Sequence, residues 1–263
     1  QRPQPPRHAI HIHSEIAMRL NAFLRAAGTA LILTPVGALP AAAEMDRAEV
    51  EKIVREYLLA NPEILNERIA GLQEREQMSA AEKAKTGIAQ NKEALYNDGF
   101  SHVAGNPNGD VTLIEFFDYR CGYCRKVRAD LVTLMEQDSG VRLILKELPI
   151  LSEASHEAAK AAIAAQNQGG DLYWKFHQAM LEADGLDSAA IYDIAAGVGL
   201  DVARLKTDME DPAVEKKIEQ THDLASKIGV DGTPAFIIGD KLVPGALDAD
   251  GLKELVEAQR SGG

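Results

Sequence analysis

Apolar and polar positions change period along this chain, and the changes mark out its parts. From residue 46 to about 96 the apolar residues recur at helical spacing. Val50, Ile53, Val54, Tyr57 and Leu58 form one stripe, and Leu65, Ile69 and Leu72 continue it after Asn61-Pro62, which restarts a helix in cap-then-first-turn order. Asp46 with Glu49 three residues on reads as a capping box. Over 74–85 the stripe fades into charged residues that form helix well but have little to bury. Asn97-Asp98-Gly99 and Gly105-Asn106-Pro107-Asn108-Gly109 then read as a linker.

Beyond the linker the pattern predicts a strand at Val111–Phe117, a helix at 123–137 and a strand at 141–148. Several helices follow between 155 and 228, then a hairpin at 235–243 around Gly239-Asp240, and a last helix at 248–258. A strand–helix–strand opening and a hairpin–helix close around a helical block is an α/β arrangement. Trp174, Phe176 and Met180 are expected in its core, and His156, His177 and His222 on its surface or in structural roles.

The first forty-odd residues are unlike the rest. Met18 to Arg25 gives a short basic start, 26–39 is apolar, and Ala41-Ala42-Ala43 is an A-x-A-type cleavage site, which together read as a secretory signal peptide cut after Ala43. The apolar run is shorter than the ~20 residues a membrane span needs and contains Pro35. Residues 1–17 precede a complete signal peptide and predict no structure. Removing 1–43 takes away Arg2, Arg7, Arg19, Arg25 and Glu15, which carries the net charge from −12 to −15. So acidic a surface argues against nucleic acid or anionic lipid as a partner.

Cys121 and Cys124 are the two cysteines, directly after the first strand. At this spacing a strand-to-helix turn puts the first sulfur at the helix N-terminus, where unpaired N–H groups and the dipole favour a thiolate, and the second one turn inward. Cys121 is thus the candidate attacker and Cys124 the resolver. A structural zinc site wants four ligands and no further cysteine exists. A Cu(I)-binding pair stays open, because soft thiolates suit that ion.

Four stretches carry a resemblance. They are Ile114-Glu115-Phe116-Phe117-Asp118-Tyr119-Arg120-Cys121-Gly122-Tyr123-Cys124, the Ala-rich stretch 158–165, Tyr173-Trp174-Lys175-Phe176-His177, and Gly232-Thr233-Pro234-Ala235-Phe236. From about Gly109 onward the chain resembles the DsbA-like thiol–disulfide oxidoreductases of the thioredoxin superfamily. The Tyr57-Leu58-Leu59-Ala60-Asn61-Pro62-Glu63-Ile64-Leu65 pattern is similar to the N-terminal arm of the ScsC-like group within them.

The resemblance implies a thioredoxin fold with an inserted helical domain at about 150–228, preceded by an α-helical arm. The expected order is a leader at 1–43 with the signal peptide core at 18–43, an arm at 44–98 that can build oligomers, a linker at 99–110 and the thioredoxin domain at 111–263. Pro234 is then the cis-proline and Thr233 presents backbone groups to an extended substrate. Gly122 and Tyr123 border the same surface, and Glu115 is the buried acid that exchanges protons with the inner thiol. Gly122-Tyr123 stands where the best-known oxidase has Pro-His, so no imidazolium supports the thiolate, and a milder redox couple is expected. No cofactor is needed beyond the Cys121–Cys124 disulfide.

The function implied is exported, periplasmic exchange of disulfides with cysteine-containing proteins, as oxidase or isomerase, recharged by a membrane redox partner. A homo-oligomer such as a trimer suits the isomerase. The alternatives are a monomeric dithiol oxidase and a Cu(I)-binding chaperone using the same two sulfurs.

Overall fold

The computed structural model describes residues 46–262; the leader at 1–43 and its signal peptide lie outside them. The described residues fall into two units, divided between Ala60 and Asn61. In the first unit, α1 (Arg47–Ala60) buries none of its residues, and Val50, Ile53, Val54, Tyr57 and Leu59 are exposed.

The second unit is built on a five-stranded sheet in the order β1-β3-β2-β4-β5. Its strands are β1 (His102–Gly105), β2 (Val111–Phe117), β3 (Val141–Glu147), β4 (Ala235–Ile238) and β5 (Lys241–Pro244). Only the central pair β2 and β3 runs parallel. Both of those strands are covered on both faces, which explains their near-continuous apolar runs in place of strict alternation.

Alternate side chains of β2 enter two separate cores. Leu113 and Phe117 pack with α4 (Gly122–Gln137), α5 (Glu153–Ala165), α6 (Gly170–Glu182) and α10 (Ala249–Gly262). Ile114 and Phe116 pack instead with residues of α2 (Pro62–Gln90), α3 (Lys92–Tyr96) and α9 (Pro212–Ile228). With α7 (Ser188–Gly197) and α8 (Val202–Met209), helices α5 to α9 fill the connection from β3 to β4. This is the expected thioredoxin fold with a helical insert, and the elements fall within a few residues of their expected places.

Two expectations about the N-terminal part are corrected. The segment expected as a linker at 99–110 contains β1, which pairs antiparallel with β3 from His102↔Leu145 to Gly105↔Arg142. The segment expected as an arm up to 98 does not end where the apolar stripe fades. Ala84, Gly87 and Ile88 of α2 and Leu95 of α3 are core residues. Gly87 makes the close contact possible, because a Cβ there would lie 2.6 Å from Lys227 O on α9. Lys146 Nζ, buried on β3, then holds Asp98 Oδ2 at 2.6 Å and Ala94 O at 2.8 Å. The outer part of α2 leaves Leu65, Ile69, Leu72 and Met78 exposed.

Candidate active site

β2 ends at Phe117, and α4 begins at Gly122 with Cys121 as its N-cap. The Cys121 sulfur does what a cap oxygen does elsewhere, accepting the N–H of Cys124 at 3.4 Å. Cys121 N–H in turn donates to Asp118 O at 3.0 Å. Cys121 retains 6% exposure and Cys124 none, so the pair is layered, outer sulfur over inner.

Pairing of β2 with β4, Phe116 against Ala235, brings the loop before β4 to this helix start. The Thr233–Pro234 peptide bond there is cis. Cys121 Sγ donates to Thr233 O at 3.1 Å, and Gly245 N–H donates to Pro234 O at 2.9 Å, tying the loop to the end of β5. The Thr233 carbonyl, expected to face a substrate backbone, is engaged here by the dithiol. Gly122 has open space above it, and Tyr123 is 63% exposed with Lys126 Nζ 5.4 Å from its ring centroid.

The electrostatics separate the two sulfurs. Cys121 is pushed down to about 5, first by the hydrogen bond from the Cys124 thiol, against the cost of burial, with help from Thr233 and the N–H groups of Cys124 and Tyr123. A carbonyl has no proton to give, so Thr233 O serves the thiol form; the Thr233 hydroxyl, buried without a hydrogen-bond partner, favours the thiolate. Burial pushes the Cys124 thiol far up, reinforced by its bond to Cys121 and by the Glu115 charge. Glu115 is buried beneath, and burial followed by the Cys121 charge pushes it up to about 8.

The structure adds residues that the sequence did not single out. Asp118 is buried and accepts three N–H groups, from Arg120 at 2.7 Å on one oxygen and from Ile150 at 2.9 Å and Leu151 at 3.1 Å on the other. Glu147, at the end of β3, accepts the hydroxyls of Tyr173 at 2.8 Å and Tyr119 at 3.3 Å. Tyr119 OH also lies 3.0 Å from His177 Nδ1. His177 is buried, as a structural reading allows, while His156 pairs with Glu215 at 2.8 Å. Charged residues closing a fully buried strand were the available signal for Glu147, because buried charges need a partner or a proton. Among the described residues no three or more His, Cys, Asp or Glu side chains converge as a metal site would require.

A model of the DSBA-like thioredoxin domain matches residues 112–257, and one of the copper resistance protein ScsC N-terminal domain matches residues 46–78. Among solved structures, a thioredoxin-like oxidoreductase from Silicibacter pomeroyi DSS-3 aligns with a TM-score of 0.63 and 44% identity, covering 65% of this chain and 98% of its own. ScsC from Proteus mirabilis in a compact conformation aligns with a TM-score of 0.62 and 31% identity, covering 82% of this chain and 98% of its own. Among curated relatives, a Na(+)/H(+) antiporter NhaA from Herminiimonas arsenicoxydans is 30% identical over 165 residues, which are 61% of this chain and 26% of the antiporter. The chain thus spans about a quarter of the length of that relative.

Proposed function

The chain belongs to the DsbA-like thioredoxin family, and on that premise we propose that it exchanges disulfides with protein cysteines through Cys121 and Cys124. The observation that carries this reading is the layered dithiol, with an outer sulfur capping α4 beside the cis Thr233–Pro234 loop and a fully buried inner one. A thiolate is the nucleophile of thiol–disulfide exchange, and a stabilised thiolate is also a good leaving group.

As an oxidase, the Cys121–Cys124 disulfide is attacked at Cys121 by a substrate thiolate. The S–S bond breaks, Cys124 leaves and takes a proton, for which Glu115 is the proposed donor, and a mixed disulfide forms. The second substrate thiolate attacks the substrate sulfur and releases Cys121 as thiolate. The substrate loses two electrons and two protons, and the dithiol gains the electrons. As an isomerase, the Cys121 thiolate attacks a substrate disulfide, and Cys124 releases a stalled intermediate. Thr233, Pro234, Gly122 and Tyr123 form the surface against which the substrate backbone lies in either direction. Export to the periplasm, an oxidising compartment, suits both.

Trapping tests the reading. Cys124→Ser leaves the attacker without its resolver, so covalent complexes with exported proteins accumulate through Cys121, and Cys121→Ser abolishes them. If Cys124→Ser forms none while Cys121 stays readily alkylated, protein thiols are not the substrate.

The isomerase direction and a homo-oligomer, as a trimer, complete the proposal. They are supported by the exposed apolar residues of α1 and of outer α2, side chains that a soluble monomer rarely leaves uncovered in such number. Light scattering of the mature chain, and of a variant with Leu65, Ile69 and Leu72 changed to Asp, decides. A monomeric native chain at micromolar concentration removes the oligomer and favours the oxidase. A second reading, Cu(I) sequestration by the same sulfurs, draws on the ScsC-type match at 46–78. It requires stoichiometric Cu(I) binding without catalysis of disulfide exchange.

A further inference from the structure

Glu147 is a buried carboxyl that the exchange chemistry above does not use. It pairs in register with Phe117, and Glu115 pairs with Leu145, so both acids leave adjacent parallel strands on the face that also packs Cys121 and Cys124. From strand spacing and rise their Cα atoms are roughly 8 Å apart.

The surroundings of Glu147 suit an acid that keeps its proton. Oε1 takes both tyrosine hydroxyls, whereas Oε2 is buried with no hydrogen-bond partner. The titratable groups facing it are Tyr119 and Asp118 from the turn before α4, Glu115 from β2, and Tyr173 and His177 from α6. None of them brings a positive charge, since burial keeps His177 neutral down to about 3. An anion there would lose its hydration with one oxygen unmatched, and would sit beside a second carboxyl.

We propose that Glu147 is a second proton-exchanging carboxyl behind the dithiol, titrating jointly with Glu115, and that this pair sets how the redox equilibrium of Cys121–Cys124 depends on pH. The proposal rests on reading the dithiol as a redox couple. Glu147 touches neither sulfur and is a positioning residue acting through the charge of Glu115. When the disulfide is reduced, two electrons come from the thiol reductant, Cys121 is released as thiolate, and Cys124 takes a proton from Glu115. An ionised Glu147 opposes the anion that this leaves; a protonated one permits it. Such a pair gives up its protons in two macroscopic steps.

The test equilibrates the full chain with glutathione from pH 6 to 9.5 and follows the carboxylic-acid C=O stretch of the reduced protein by infrared. Glu147→Gln keeps an oxygen for both tyrosines. It is expected to remove part of the infrared band and to lower the pH at which Glu115 ionises by up to about 1.5 units, the size of a like-charge coupling at this separation with an effective permittivity of ~20. Tyr173→Phe removes a donor that favours the Glu147 anion and is expected to move the Glu147 step of the infrared profile upward while Glu115 ionises no later than in the native protein, which keeps the proposal testable if Glu147→Gln folds poorly. A Glu147→Gln band and profile that superimpose on those of the native protein overturn the proposal, as does a Tyr173→Phe profile that does not move. A dithiol that never equilibrates with glutathione overturns the proposed function instead, and the infrared titration then still decides whether Glu147 holds a proton coupled to Glu115.

Discussion

Removing the inner thiol should disarm the outer one in a measurable way. The largest influence holding Cys121 at about 5 is the hydrogen bond from the Cys124 thiol. Hydrogen bonds to charged groups contribute ~1.5–3 kcal/mol, and one pKa unit corresponds to ~1.36 kcal/mol, so losing this bond should raise Cys121 by about one to two units. Cys124→Ala keeps the backbone N–H that donates to the Cys121 sulfur at 3.4 Å, so the shift should stop well short of the ordinary value near ~8.5. At pH 6 the thiolate fraction should fall from about nine-tenths to between about a half and a tenth. The assay is the pH profile of Cys121 alkylation, read by mass spectrometry. Its midpoint is the readout, not its plateau, because intrinsic nucleophilicity rises with pKa and lifts the plateau of the variant. A native midpoint near ~8.5, or a Cys124→Ala midpoint unchanged from the native one, would refute the assignment of the inner thiol as principal donor.

Two further outcomes follow from buried groups. Asp98→Ala should cost ~3–5 kcal/mol in urea unfolding, because it strands the Lys146 ammonium, whose side chain is 1% exposed, with only Ala94 O; adding Lys146→Met should restore much of the loss, and a single variant of native stability would refute the pairing. Glu115 and Glu147 keep their protons up to about 8, above the ~4.3 of an unfolded Glu, so they favour the fold at low pH and that contribution is lost as pH rises through 8. His102 and His177, held neutral to about 4 and about 3, act oppositely, and their contribution is lost as pH falls below ~6.5. Cys121, depressed to about 5, adds stability to the reduced form as pH rises from 5 toward ~8.5. Thermal midpoints of the oxidised protein should therefore hold level from about pH 4.5 to 6.5 while those of the reduced protein rise from 5, and both should decline toward 8, more steeply in the oxidised protein; midpoints that rise from 6.5 to 8 would contradict the buried, protonated carboxyls.

Much of this architecture was legible because long apolar runs and turn residues report locally. The β2 and β3 strands, the break at Asn61-Pro62 and the Gly239-Asp240 hairpin all declare themselves in a few adjacent residues. β1 did not, since His102-Val103-Ala104-Gly105 is short and its glycine borders a run of turn residues. The inner end of α2 escaped because it packs with Ala84 and Gly87, small residues that let two backbones approach, and with Ile88 alone beside them, which leaves almost no apolar stripe. Cys121, Cys124 and the Thr233–Pro234 loop stand out by residue type and by resemblance. Glu147 with Tyr119, Tyr173 and His177 does not, because its members come from three elements and only the register of β2 on β3 and the packing of α6 unite them.

The three N–H groups gathered by Asp118 have a consequence for recognition. Arg120 belongs to the turn that delivers Cys121, and Ile150 and Leu151 belong to the loop after β3, where both side chains are exposed. One carboxylate therefore fixes two separate loops, and the ordering cost of doing so is met when the chain folds, before any encounter. A mouth organised in advance loses little conformational entropy on docking, which leaves the adaptation to the other molecule. On the function proposed above, such a surface would favour clients that are still pliable around their cysteines over those already locked into their final shape. Selection by the client's stage of folding then needs no sequence-specific pocket.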